Sequence, residues 1–277
     1  MTDTSKALII GGESAIAQEL PFGIKVSHKE LDVMNISQIE QVLSKYKPST
    51  VICLASIDLP TSQKNPSLAY AINVVGLCNV ATQATKMQIP IVMISTGAIF
   101  NGPITKVFSE QDTPHPLNVY GQTKYLAELL LRQMTPNHLI IRTGWLFGLN
   151  HKKNGFTRFI DNLLNTIDNG NVIKVTQDQI GSPTYIRDFS IKLKELIESN
   201  AQGTIHVVNK GIASAFDIAQ EALKITSKKT PIEVVSTKDI SGAAARSKSE
   251  ALESKITLRS WQEALNSYYS EIINDSS

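Results

Sequence analysis

Short apolar runs rich in valine and isoleucine alternate along this chain with longer segments whose apolar residues recur at helical spacing. The first kind reads as strands buried on both faces, and the second as the helices that cover them. Strands are predicted over Ala7 to Ile10, Thr50 to Ala55, Ile89 to Ser95 and His138 to Arg142, with a shorter one near Lys25 to Ser27. Helices are predicted near Ser14 to Leu20, Ile36 to Tyr46, Ser67 to Met87 and Tyr120 to Met134. This alternation specifies an α/β fold, a doubly wound parallel sheet. After Arg142 the pattern loosens into a helix near Phe156 to Ile167, a strand near Val172 to Thr176, a helix from Arg187 to Glu198 and a strand from Thr204 to Val208. A smaller lobe is expected to grow from these insertions. The polar stretch Asp239 to Lys255 reads as a mobile loop before the last helix.

Composition narrows the classes of function. At 277 residues the chain can bury a sizeable core, and its 42% hydrophobic and 19% charged shares are ordinary for a globular protein. A formal net charge of +2 offers no electrostatic case for nucleic acid or an anionic membrane. The apolar runs fall short of a membrane span, and Ala7 to Ile10 reads as a buried strand rather than a leader, so a cytoplasmic protein is expected. Cys53, inside the apolar run VICLA, reads as a free buried thiol, and neither it nor Cys78 is assigned a disulfide. The five histidines are scattered without ligand spacing, so no metal site is expected.

Candidate chemistry concentrates in PLNVYGQTKYLAE, Pro116 to Glu128. Tyr120 and Lys124 are about one helical turn apart and share a face. A neighbouring ammonium favours phenolate and pulls a phenol below its usual pKa of roughly 10, which makes Tyr120 a candidate proton donor. The same spacing also suits a solvated helix face. Asn118 is placed to cap this helix, and Gly121 would keep its first turn thin enough for a ligand to lie close. A second candidate is LIIGGESAIAQEL, Leu8 to Leu20, which runs strand, glycine turn, helix. Gly11 would make the tight turn and the amides at the helix start would hold a pyrophosphate. In the frame Gly11-x-x-Ser14-x-x-Ala17, Ser14 adds bulk where the backbone should approach phosphate; a plain structural turn fits these residues too.

Together these stretches resemble the extended short-chain dehydrogenase/reductases, and most closely the dTDP-4-dehydrorhamnose reductase family. The resemblance runs through the Gly11 loop, Glu30-Leu31-Asp32 with Asn35, INVVG at Ile72 to Gly76, STGAIFNG at Ser95 to Gly102 and PLNVYGQTK at Pro116 to Lys124. It continues through RTGWLFG at Arg142 to Gly148 and DQIGSPTYIRD at Asp178 to Asp188. It implies a Rossmann-like dinucleotide-binding domain of residues 1–147 with about 179–208, and a smaller α/β substrate-binding lobe of about 148–178 with 209–277. The implied reaction is hydride transfer from NADPH (or NADH) to the 4-ketone of a nucleotide-linked sugar, with Tyr120, Lys124 and Thr96 catalytic. Implied cofactor contacts are Gly11, Ser14, Ala15, Ile16, Asp32, Ala55, Ser56, Asn73, Tyr120 and Lys124. Implied substrate contacts are Thr96, Gly97, Trp145, Gln179, Ser182 and Arg246, although a tryptophan after a strand also reads as core and Asn73 as a surface polar residue. The family resemblance further implies surface polysaccharide precursor synthesis and allows a homodimer.

Several departures fall where substrate or cofactor would be touched. Gly97-Ala98 stands where the family has Asp-Tyr, Cys53 replaces an asparagine, and Ile57-Asp58 a His-Thr pair. The C-terminal Arg-Pro-x-x-Ser-x-Leu pattern becomes Arg246-Ser247-Lys248-Ser249-Glu250-Ala251-Leu252. The small pair after Thr96 is similar to nucleotide-sugar epimerases, which are the second reading. Sugar-nucleotide dehydratases need an acidic pair there, which this chain lacks, and rank third; the alternative from another class is a regulatory protein that keeps the dinucleotide pocket without efficient turnover. His28 and Lys29 after the second strand favour NADPH, against a charged turn in which Glu30 is merely one step further on.

Overall fold

A computed structural model of the chain describes residues 1–148, 159–239 and 245–276. Six parallel strands form the central sheet: β1 (Ala7–Ile10), β2 (Ile24–Val26), β3 (Thr50–Cys53), β4 (Ile91–Thr96), β5 (His138–Thr143) and β10 (Gly203–His206), in the order β10-β5-β4-β3-β1-β2. Alternate residues of each strand enter opposite cores, as a sheet covered on both faces requires. Leu8, Ile10, Val51, Cys53, Ile91 and Met93 pack on one face with residues of helices α2 (Ile36–Tyr46), α5 (Leu77–Lys86) and α6 (Val119–Met134). Ala7, Ile9, Ile52, Val92 and Ile94 pack on the other with α1 (Ala15–Glu19) and α8 (Ile186–Glu198). Because β1 lies between β2 and β3, the chain leaves β1 and β3 in opposite directions, and a crevice opens at their carboxyl ends.

A short helix, α3 (Leu59–Lys64), follows β3, and further elements gather beside the sheet. They comprise α7 (Phe159–Asp168), α9 (Ala215–Thr226), α10 (Trp261–Ser276) and three two-stranded ladders that pair β6 (Trp145–Phe147) with β9 (Pro183–Tyr185), β8 (Ile180–Gly181) with β11 (Ala213–Ser214), and β7 (Ile173–Val175) with β12 (Ile232–Val234). Their apolar residues, among them Phe147, Tyr185, Trp261 and Leu265, continue one core with that face of the sheet.

Three local differences from the sequence expectations matter for the site. The single helix expected from Ser67 to Met87 is broken. Asn65 caps α4 (Pro66–Tyr70), where Pro66 occupies the first turn, and a π-helical stretch, Ala71–Gly76, inserts before α5. Of the mobile loop expected over Asp239 to Lys255, residues 240–244 lie outside the described residues, and 245–255 are not loose. Asn118 Nδ2 donates to the Ala245 carbonyl (2.9 Å), Gly102 N to Ser247 Oγ (3.0 Å), Glu250 N to the Ile180 carbonyl (2.9 Å) and Leu252 N to Ser182 Oγ (3.0 Å). Phe108 exchanges backbone hydrogen bonds with Ala251 and Glu253, both 2.8 Å. Ser247, which replaces the proline of the family pattern, and Ser249 are themselves buried anchors of this segment. Finally, the first residues of the helix expected from Phe156 lie outside the described residues; α7 carries the rest.

Candidate active site

Helix α6 organises the site. Asn118 Oδ1 accepts from Gly121 N (2.8 Å), which caps the helix as expected, and Tyr120, Lys124 and Glu128 follow one turn apart along it. Gly121 has a different use from the one expected. A Cβ there would come within 2.4 Å of the Ala98 carbonyl oxygen, so its bare face admits the turn after β4 rather than a ligand. Thr96 ends β4, and its Oγ accepts from Ala98 N (3.2 Å), which closes the one-turn 3-10 helix Gly97–Ile99. Tyr120, Lys124 and Thr96 thereby line one cleft of about 160 Å³, with Ile16, Cys53, Ser56 and Gly144 among the other walls.

Lys124 is buried, and burial pulls its pKa down to about 8. Burial pushes the neighbouring Cys53 thiol up to about 11, so it stays protonated and inert, consistent with a free buried cysteine. Glu128 is also fully buried. Burial alone would raise its pKa, but Arg142 and Arg132 outweigh burial and hold the carboxyl below its usual range. Arg142 donates from Nε to Oε1 (3.0 Å) and from Nη2 to Oε2 (2.7 Å), Arg132 adds a 2.7 Å bond, and the Arg142 guanidinium stacks over Phe100. Phe100 stacks on Phe108, so this column supports the C-terminal segment that Phe108 grips.

On the cofactor side, Gly11 adopts φ +84°, and a Cβ there would lie 2.8 Å from Ala55 N. Only glycine lets the exits of β1 and β3 approach this closely. Ser14 Oγ accepts from Ala17 N (3.2 Å) as the N-cap of α1, and the first amides, Ala15 and Ile16, have no helical acceptors. Asn73, in the π-helical stretch, is buried and fully engaged. Its Oδ1 accepts from Ile57 N (2.7 Å) and Ser56 Oγ (3.1 Å), and its Nδ2 donates to Thr123 Oγ (2.9 Å) and the Ile57 carbonyl (3.3 Å). It clamps the β3 exit against α6, next to Lys124, rather than facing the crevice. Asp32 lies beyond β2 with its Oδ1 accepting from Met34 N (2.9 Å). At the end of β2 it is Glu30 that folds back, with Oε2 accepting from Ser27 N (2.9 Å) and Ser27 Oγ (3.0 Å).

The residues expected to touch substrate separate into two groups. Ser182 is fully buried, and its hydroxyl is used to hold Leu252, while its carbonyl accepts from Trp145 N (2.8 Å). Gly97 is also buried, and a Cβ on it would meet the Glu250 carbonyl oxygen at 2.5 Å. Trp145 lies with its ring against Gly181 and donates from Nε1 to Glu250 Oε2 (3.3 Å). Arg246 is exposed on the same segment, and Gln179 is half-buried before β8 without lining the cleft. Sequence reasoning did not single out Glu250 or the Glu128–Arg142 pair. Glu128 was legible as the next turn of the Tyr120 and Lys124 stripe, whereas nothing local marks Glu250 as buried.

These features define a Rossmann-type dinucleotide-binding protein of the tyrosine and lysine class. The RmlD substrate binding domain model matches residues 6–274, so the chain belongs to that family. It is 30% identical to spore coat polysaccharide biosynthesis protein SpsK of Bacillus subtilis (strain 168), over 96% of this chain and 98% of that protein. It is also 30% identical to a dTDP-4-dehydrorhamnose reductase of Aggregatibacter actinomycetemcomitans, over 71% of this chain and 67% of the other. The structure superposes on the dTDP-4-dehydrorhamnose reductase of Bacillus anthracis in complex with NADP with a TM-score of 0.89, at 29% identity, covering 97% of this chain and all of that one. Among the described residues no helix is long and apolar enough to cross a membrane.

Proposed function

We propose that the chain is an NADPH-dependent reductase of a nucleotide-linked 4-keto-6-deoxy sugar, as its reductase relatives are named. The observation that carries this reading is the convergence of Thr96, Tyr120 and Lys124 on one cleft beside the Gly11 turn. Gly11, Ser14, Ala15, Ile16, Ala55 and Ser56 border the crevice between β1 and β3 and would hold the dinucleotide, while Asp32 would act near its adenosine end. NADPH, when bound, supplies the hydride that reduces the ketone carbon.

The remaining work belongs to the side chains. Thr96 Oγ donates a hydrogen bond to the ketone oxygen, which steadies the negative charge that develops there. Tyr120 Oη then gives its proton to that oxygen and completes the alcohol. Lys124, still largely protonated at neutral pH with a pKa of about 8, stabilises the phenolate left behind. Asn73 keeps the β3 exit and the Thr123 turn of α6 in register around this pair. A reductase of this kind works beside the supply of NADPH and activated sugar, so we assign it to the cytoplasm, in the synthesis of surface polysaccharide precursors.

The test is Tyr120→Phe, assayed for NADPH oxidation with dTDP-linked 4-keto-6-deoxy sugars. Turnover should fall by about 10² to 10⁴ while the NADPH affinity, read by fluorescence titration, stays within about twofold. Undiminished turnover would remove Tyr120 as proton donor, and wild-type protein that binds NADPH but reduces no keto-sugar would overturn the reductase reading.

A further inference from the structure

Glu250 stands apart from the other acids of this chain. It is about nine-tenths buried, at 9% exposure, in the wall between Gly97 and Trp145. Among the described residues its side chain has one hydrogen-bond donor, the Trp145 indole at 3.3 Å, to Oε2, and its other oxygen accepts from none of them. That oxygen is not among the buried side-chain atoms left without a partner, so it faces accessible space and keeps its acceptor capacity for a group that enters there. Arg246, four residues earlier and exposed, is the cation whose field reaches it.

The segment is built to present this side chain. Glu250 N is tied to the Ile180 carbonyl, the residues on either side of it are held by Ser182, Lys106 and Phe108, and its own carbonyl occupies the space a side chain at position 97 would need. The backbone at Gly97 follows directly on Thr96, and Trp145 follows directly on Gly144; Thr96 and Gly144 both line the cleft that holds Tyr120 and Lys124. Glu250 does not itself line that cleft; it lies against Gly97 and Trp145, the neighbours in sequence of two residues that do.

We infer that Glu250 is a specificity-determining residue that accepts hydrogen bonds from a ring hydroxyl of the sugar, beside the carbon being reduced. This assignment rests on the reductase reading and deepens it. A carboxylate would repel the substrate's phosphates, so the ring and not the diphosphate faces Glu250, while Arg246 offers the neighbouring positive charge to the diphosphate. A site that hydrogen-bonds a substrate hydroxyl discriminates against the analogue lacking it, because its own polar group is then left buried and unpaired.

The experiment compares a dTDP-4-keto-6-deoxyhexose with its 2-deoxy and 3-deoxy counterparts in the wild type, in Glu250→Met, which keeps the volume and removes the acceptor, and in Glu250→Gln, which keeps one acceptor oxygen. The wild type should disfavour one of the two deoxy analogues by about a hundredfold or more in kcat/KM. Glu250→Met should lower kcat/KM for the fully hydroxylated sugar by about a hundredfold, mainly through KM, leave the disfavoured analogue within about twofold, and so collapse the discrimination; Glu250→Gln should restore part of it. NADPH affinity should hold within about twofold throughout. Equal losses on all three sugars, or discrimination unchanged by Glu250→Met, would overturn the assignment while the reductase reading stands. A wild type that binds NADPH and turns over none of the sugars would overturn both.

Discussion

Two buried glutamates lie close to the candidate active site, and the structure treats them in opposite ways. Glu128 sits one helical turn beyond Lys124, fully buried, with both oxygens bonded to Arg142 and a further bond from Arg132. Glu250 is also buried, with one indole donor and, among the described residues, no arginine in ion-pair contact. The first is held below the usual carboxylate range because its arginines outweigh its burial. The second is raised by burial, which Arg246 and Trp145 only partly oppose. A paired charge that satisfies itself belongs to the scaffold; an acid whose hydrogen bonding the protein leaves unfinished is available to a ligand.

The comparison breaks if both acids prove equally structural. Glu128→Ala should therefore be the most damaging of these substitutions, since it leaves Arg142 buried without its partner. A loss of about 3 to 5 kcal/mol is expected, a fall in Tm of roughly 10 °C. Glu250→Met should leave the chemical-denaturation midpoint nearly unchanged or raised. A large loss of stability in Glu250→Met would erase the distinction.

Lys124, one helical turn before Glu128, is a buried charge of the opposite sign. Its pKa is about 8 in the folded protein against a usual lysine value of 10.5. Below pH 8 the ammonium is charged in both states, and the folded state bears the cost of burying it. Between about pH 8 and 10.5 the unfolded chain binds more protons, so stability rises with pH across that window. Lys124→Met should accordingly stabilise the protein at pH 7 by about 3 kcal/mol, with the gain shrinking toward pH 10.5, while it abolishes turnover. Denaturation of both proteins at pH 7 and pH 10 checks this. A variant less stable than wild type at pH 7 would mean that the lysine is held by contacts stronger than its desolvation.

The contrast also marks what could be read from residues in order. Strands such as Ala7–Ile10 and the stripe Tyr120, Lys124, Glu128 are written in local periodicity, so the sheet, α6 and the reacting pair were legible. Even the unforeseen α9 carried a signal, the capping box of Ser214 and Asp217 ahead of its apolar run. The roles of Ser182, Asn73 and Gly97 depend on chain segments up to 153 residues apart in sequence, as with Gly97 and Glu250. Such long-range contacts leave no period to read. The mobile loop expected over Asp239 to Lys255 was misjudged at 245–255 for the same reason: its serines look solvent-facing until Lys106, Gly102 and Ile180 are brought beside them.

Gly97 offers a sharper cut through the comparison, because it touches Glu250 without carrying any chemistry of its own. A methyl group there would lie 2.5 Å from the Glu250 carbonyl oxygen, a distance that obliges the C-terminal segment to move. Gly97→Ala should cost roughly 1 to 3 kcal/mol and raise KM for the keto-sugar in the same direction as Glu250→Met. The two substitutions combined should fall short of the sum of their separate effects, since both displace one carboxylate. Full additivity in KM would show that Gly97 and Glu250 act on the substrate independently.

The smallest effect is expected from a third acid, which is paired yet exposed. Glu30 accepts from the amide and hydroxyl of Ser27 at the end of β2, and those bonds hold its carboxyl below the usual range, so it is anionic throughout the neutral range. In Rossmann-type sheets the adenosine ribose lies near the end of the second strand, where an acid disfavours a 2'-phosphate. His28 and Lys29, both exposed, precede it in the same turn and act in the opposite sense. Glu30→Gln should shift the ratio of NADPH to NADH affinity toward NADPH by roughly threefold, the scale of one solvent-screened charge. That shift should fade as ionic strength rises, because an exposed charge is screened where a buried one such as Glu250 is not. A ratio that moves toward NADH, or one indifferent to salt, would place the dinucleotide's phosphate away from this turn.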